Sequence, residues 1–202
     1  MNNKKWANYY KVTKKIATSR KTLIKAIDLF DRDNNFEASK FAIDLGCGAG
    51  SDSLELLKYG WSVLAIDSQP SAISTLLSLC PQSLQDKIKT KIASFESLIS
   101  LPISQLINAS YSLPFMSPDY FYPFWEIILR ALYPGRIFSG TFFGVNDSWH
   151  TRADMTFVNS EVLYNLFRTF EIEFFEEEEH DAADALGHVK HWHKYFVVAK
   201  KR

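Results

Sequence analysis

The chain has 202 residues, 47% of them hydrophobic and 15% aromatic, enough to close one substantial core and short for two. Its 23 basic and 23 acidic side chains cancel, which excludes a general field drawing it toward nucleic-acid backbones or anionic lipid. Met1 to Lys15 lacks an apolar core of signal-peptide type, no run approaches the ~20 apolar residues that span a bilayer, and two cysteines make no disulfide framework, so a cytoplasmic protein is expected.

No repeat or composition break divides the sequence, and residues 1–202 are read as one domain in which 1–35 forms a helical N-terminal segment or lid. Trp6, Tyr9 and Tyr10 lie in that segment; an amphipathic helix on the sheet edge is the alternative. Leu23, Ala26, Ile27 and Phe30 share one helical face from about Ser19, closed by the polar DRDNN stretch. Phe41 to Leu45 reads as a buried strand. Ser51 to Tyr59 follows as a helix with Gly60 at its end, then Trp61 to Ile66 as a strand. Ser68, Gln69 and Pro70 open another helix, with proline in the first turn.

Lys89 to Phe95 and Leu106 to Tyr111 are short strands, and Ser117-Pro118-Asp119 caps a helix bearing Phe121, Phe124, Trp125, Ile128 and Leu132. Pro134-Gly135 turns into the strand Ile137 to Phe143. Asn159 or Ser160 starts a helix to about Thr169, and the strands Phe170 to Glu177 and Trp192 to Val198 are joined by a loop from His180 to Lys190. Glu176 to Glu179 is read as a solvated run. The alternation predicts an α/β, doubly wound, mainly parallel sheet with helices on both faces.

Gly46, Gly48 and Gly50 occupy the first strand-to-helix turn, where open α/β sheets bind ligands at the carboxyl ends of their strands. Asp44 precedes the turn and Asp67 ends the second strand, where a ribose diol would lie. A dinucleotide fingerprint, GxGxxG, would need glycine where Ser51 stands, and Asp44 would repel a pyrophosphate. A cationic, phosphate-free ribosyl ligand suits these residues.

IDLGCGAG, Ile43 to Gly50, with Asp67 and the later LYPGR, Leu132 to Arg136, resembles class I S-adenosylmethionine-dependent methyltransferases. The resemblance implies a seven-stranded sheet with an antiparallel final strand, and S-adenosyl-L-methionine over the glycine turn with Asp67 on its ribose hydroxyls. The cofactor contacts it implies are Asp44, Gly46, Cys47, Gly48, Gly50, Asp67, Ser68 and Ser110, with Tyr10 and Arg20 reaching the methionyl carboxylate. Phe95 and Glu96 flank the adenine on this reading; a core phenylalanine and a solvated glutamate are the other. The fourth-strand segment QLINASYSLPF carries neither an acidic residue near its start nor an Asn-Pro-Pro-Tyr signature. Together with FFGVNDSWH and GHVKHWH it is similar to small bacterial methyltransferases of the tellurite-resistance group.

Methyl transfer to a small-molecule acceptor needs alignment above all, and a general base only where the nucleophile carries a proton. His191, His193 and His150 are the candidate catalytic residues, and no metal is expected, because the pair 191 and 193 needs further ligands. A nicotinamide-dependent oxidoreductase and a noncatalytic cofactor-binding module of the same fold are the competing functions.

Overall fold

The computed structural model describes residues 20–33, 40–184 and 187–202. Tyr10, with the rest of 1–19, lies outside the described residues, and so does Ser19 as a helix start. The first described helix, α1, is Lys21–Arg32, and it lays Leu23, Ala26, Ile27 and Phe30 against the sheet as its 3.6-residue period requires.

The remaining elements are β1 (Phe41–Leu45), α2 (Ser51–Lys58), β2 (Ser62–Asp67), α3 (Pro70–Leu79), β3 (Ile88–Ile92), β4 (Leu106–Ala109), α4 (Pro118–Ala131), β5 (Ile137–Gly144), β6 (Phe157–Val158), α5 (Ser160–Leu166), β7 (Phe170–Ala183) and β8 (Val189–Lys201). Seven strands run in the order β3-β2-β1-β4-β5-β8-β7, and β6 adds an eighth beside the end of β5. β1 to β5 are mutually parallel, whereas β8 is antiparallel to both β5 and β7.

Alternation along the strands feeds a core on each face. Ala42, Val63, Ala65 and Val198 pack with α1, α2 and α3; Ile43, Leu45, Ile107, Phe138 and Val197 pack with α4 and α5. Trp125 anchors the second core, edge-on to Phe138 and Phe167 at 5.0 and 5.2 Å, with its Nε1–H donating to the Leu166 carbonyl at 3.2 Å.

Three expectations need correction. The loop expected from His180 to Lys190 is mostly ladder: β7 continues to Ala183 and β8 begins at Val189. Cross-strand pairs support that extension, among them the Trp192 Nε1–H donating to the Ala182 carbonyl. The seven-stranded sheet has gained β6, whose two residues are too few to register as a pattern. At Ser117, α4 begins as expected, but the side chain makes no capping bond; Pro118 in the first turn sets the helical φ instead.

Candidate functional site

The turn after β1 is shaped by close approach. All three of its glycines have positive φ: 70° at Gly46, 54° at Gly48 and 93° at Gly50. A Cβ on Gly46 would collide with the Ser112 side chain, so the turn can touch the segment after β4 only with glycine there. Gly50 answers to packing: a Cβ there would collide with Leu76 of α3, and the residue does not line the cavity above the turn.

The turn is held by β2. Gly46 and Cys47 both donate N–H to the Ile66 carbonyl, at 2.8 and 3.1 Å. Asp67, 3% exposed, accepts from Gly48 N–H at 2.9 Å and from Gln69 N–H at 2.8 Å. One carboxylate therefore ties the turn to the start of α3 while lining the cavity.

Two further acids lie beneath. Asp44 is 2% exposed and Asp52, in the first turn of α2, 6%. Asn108 Nδ2 donates to both, at 3.0 Å each, and Ser53 Oγ donates to Asp44 at 2.5 Å. Ser110 and Ser139 donate to Asn108 Oδ1, which fixes the amide so that its NH₂ faces the acids. Burial above all, then the neighbouring Asp52 charge, pushes the Asp44 carboxyl up to about 7. Burial likewise raises the Cys47 thiol, leaving it a protonated wall residue rather than a nucleophile.

The remaining walls come from three segments. Phe95 stacks on Phe124 of α4, with centroids 5.0 Å apart and planes 15° from parallel, and also lines the cavity, so it packs against the core on one side and faces open space on the other. Glu96 and Ser68 line it from exposed positions. Tyr111 has φ 52°, an unusual value for a bulky residue, and its ring lies under the Arg20 guanidinium at 4.8 Å. Arg20 also donates its backbone N–H to Asp52 at 3.2 Å. Ser112 is 7% exposed, and its Oγ has no hydrogen-bond partner among the described residues.

Of the expected contacts, the cavity thus brings together Arg20, Asp44, Gly46, Cys47, Gly48, Asp67, Ser68, Phe95, Glu96 and Ser110. Sequence reasoning missed Asp52, Ser112, Phe115 and Met116, all cavity-lining. For Asp52 a signal existed, an acid eight residues beyond Asp44 on the helix that the turn opens.

The structure does not bring the three candidate catalytic histidines to this cavity. His150 is exposed, its Nδ1 3.0 Å from the Asp147 carbonyl. His191 bridges two carboxylates, Asp181 at 2.7 Å and Glu179 at 3.1 Å, which hold its pKa above the usual value, Glu179 contributing most. His193 is 2% exposed; its Nδ1 accepts from Asn146 N–H at 3.1 Å, so its proton sits on Nε2, facing Glu177 at 2.8 Å. His191 and His193 stand on β8, three strands from β1, about 14 Å at ~4.8 Å per strand, and His150 lies in the segment after β5.

Glu177, Glu179 and His193 offer ligand atoms within 4.8 Å of one another, a grouping that includes one histidine of the pair, with two carboxylates beside it. A metal on His193 Nε2 would nevertheless need a proton on Nδ1, where the Asn146 N–H already points. Nor is the glutamate run merely solvated, since Glu176 and Glu178 pair with Lys21 at 2.7 and 2.5 Å.

Beside the histidines, Lys190 is buried between Trp149 and Trp192, its Nζ 3.9 and 3.7 Å from the ring centroids, and pairs with the fully buried Asp147. Burial lowers the Lys190 pKa, against the pull of Asp147. Phe115, a cavity wall, contacts Trp149 with centroids 6.5 Å apart.

No protein-family model and no curated protein matches the chain. Among solved structures it is similar to TehB from Haemophilus influenzae, with TM-score 0.69 and 17% identity over 87% of this chain and 62% of that one. It thus spans less than two thirds of TehB's length. It is also similar to an S-adenosylmethionine-dependent methyltransferase from Methanosarcina mazei (TM-score 0.62, 21% identity, 84% of this chain and 96% of that one). A third similar structure is the 1,6-didemethyltoxoflavin-N1-methyltransferase of Burkholderia thailandensis, solved with its substrate and S-adenosylhomocysteine (TM-score 0.65, 16% identity, 98% and 86% covered). The fold is that of class I methyltransferases.

Proposed function

On that fold, we propose that the cavity over the glycine turn binds S-adenosyl-L-methionine and that the chain transfers its methyl group to a small-molecule acceptor. The observation that carries the reading is the pair Asp44 and Asp52: two buried carboxylates at an open cavity, neither in an ion pair with any described residue. A cavity of that charge fits a cationic ligand and opposes a pyrophosphate.

The cofactor supplies a methyl group on a positively charged sulfur. Asp67 is assigned the ribose hydroxyls, Phe95 and Glu96 the adenine, Asp44 and Asp52 the methionyl ammonium, and Arg20 the methionyl carboxylate. Ser112 Oγ, buried and lacking a partner among the described residues, is one more group that a polar ligand would satisfy. Tyr111, Phe115 and Met116 form the wall left for the acceptor, and that wall excludes water and orients the nucleophile. Orientation alone can supply about 7 to 11 kcal/mol of the barrier. No histidine lines the cavity, so the reading assigns no general base and favours an acceptor whose nucleophilic atom needs none.

Similarity to enzymes with small-molecule substrates supports this acceptor class. Calorimetric titration with S-adenosylhomocysteine and with NAD is the test. Micromolar binding of the former and none of the latter is expected; tighter binding of NAD would overturn the reading. Binding without methyl transfer to any of a broad acceptor panel would instead leave a noncatalytic cofactor-binding module.

A further inference from the structure

We propose that Asp44, sharing the Asn108 amide with the buried Asp52, keeps its proton while the cavity is empty and gives it up to solvent when a cation enters, so that cofactor binding releases a proton. The inference rests on the reading under Proposed function and adds a thermodynamic coupling to it.

The geometry is that of two carboxylates sharing one neutral donor. Both have an oxygen 3.0 Å from the same Asn108 Nδ2. Their other oxygens accept from Ser53 Oγ and from the Arg20 backbone N–H. Each of the four oxygens thus has one neutral donor, and among the described residues none has a cation. The Ser110 and Ser139 hydroxyls, by holding Asn108 Oδ1, prevent the amide from turning an acceptor toward the acids.

The groups around the pair give no relief. From β2, Asp67 adds a third negative charge, and from the glycine turn comes only the Cys47 thiol, whose own ionisation burial opposes. From β4 comes the neutral Asn108, and from α2 the Ser53 hydroxyl. The Arg20 guanidinium lies on the Tyr111 ring at 4.8 Å, and it is the Arg20 backbone N–H that donates to Asp52.

Two adjacent buried carboxylates with no counter-ion among the described residues favour retaining one proton, and Asp44, raised to about 7, is positioned to carry it. A ligand ammonium supplies the missing positive charge. The proton then leaves to buffer, with no bond made or broken elsewhere.

The sign of the coupling follows. Below about pH 7 the ligand must displace the proton, so affinity for S-adenosylhomocysteine should be about tenfold weaker at pH 6 than at pH 8. Titration of the full chain at pH 7 in phosphate and in Tris should give enthalpies that differ as release of roughly half a proton per ligand requires. Asp52→Asn keeps the shape and removes one charge; its binding should lose both the buffer dependence and the pH dependence.

Binding of S-adenosylhomocysteine with buffer-independent enthalpy would overturn this inference and leave the proposed function standing, whereas no binding at all would overturn both. Proton release that persists in folded Asp52→Asn would place the proton elsewhere and also overturn it. Should that variant fail to fold, the wild-type comparison in two buffers decides alone.

Discussion

Replacing Asp67 by alanine removes a side chain that serves the fold and the proposed site at once. Its two oxygens accept from Gly48 N–H at 2.9 Å and Gln69 N–H at 2.8 Å, both at a buried residue. A hydrogen bond to a charged acceptor contributes about 1.5 to 3 kcal/mol. The cavity admits water to the vacated position, so the lower end applies, and the pair together should cost about 2 to 4 kcal/mol of folding stability. Loss of the ribose contacts should further weaken S-adenosylhomocysteine by about 1 to 3 kcal/mol, roughly 5- to 150-fold in Kd. Urea denaturation reads the first quantity and calorimetric titration of the folded variant the second. An unchanged urea midpoint would refute the tether, and an unchanged Kd would remove Asp67 from the site.

Gly50→Ala combines left-handed strain with a collision against Leu76 and should destabilise by about 2 to 4 kcal/mol; a thermal-melt loss below about 1 kcal/mol would contradict the packing argument. Glu179 and Asp181 raise the folded pKa of His191; the stability this adds is fully present below its unfolded pKa and disappears as pH rises through the raised value. Urea midpoints at several pH values should show this decline, and His191→Asn should flatten it. An identical slope in the variant would place the titration on another group.

Where the fold is written in local punctuation, it was legible. The glycine turn, Gly60 after α2 and Pro70 at the start of α3 act through backbone conformation at one position, so β1 to α3 are read to within a residue or two. The β7–β8 hairpin was cut short because its outer ladder is held by polar cross-strand partners, such as His191 with Asp181 and Glu179, whose meeting depends on register.

The floor of the site was legible for the same reason as the turn, whereas its walls were not. An acid in a first helical turn, like Asp52, is ordinary helix chemistry until Asn108 arrives from β4 to face it. Ser112 gains meaning only when the chain returns beside Gly46. The histidines cluster near the sheet end where such folds bind ligands, and nothing in their spacing tells how many strands from the glycine turn they stand.

The segment from Asn146 to His150 is stitched to the β7–β8 hairpin. Asp147 takes hydrogen bonds from Lys190, from the Trp149 backbone and from the His193 backbone, while Ser148 exchanges two more with His191. Trp149 rides on that segment and leans against Phe115. The outer hairpin and the cavity wall at Phe115 are therefore parts of one continuous aromatic layer, joined through Trp149 and also through Phe143, which touches both Trp192 and Phe115.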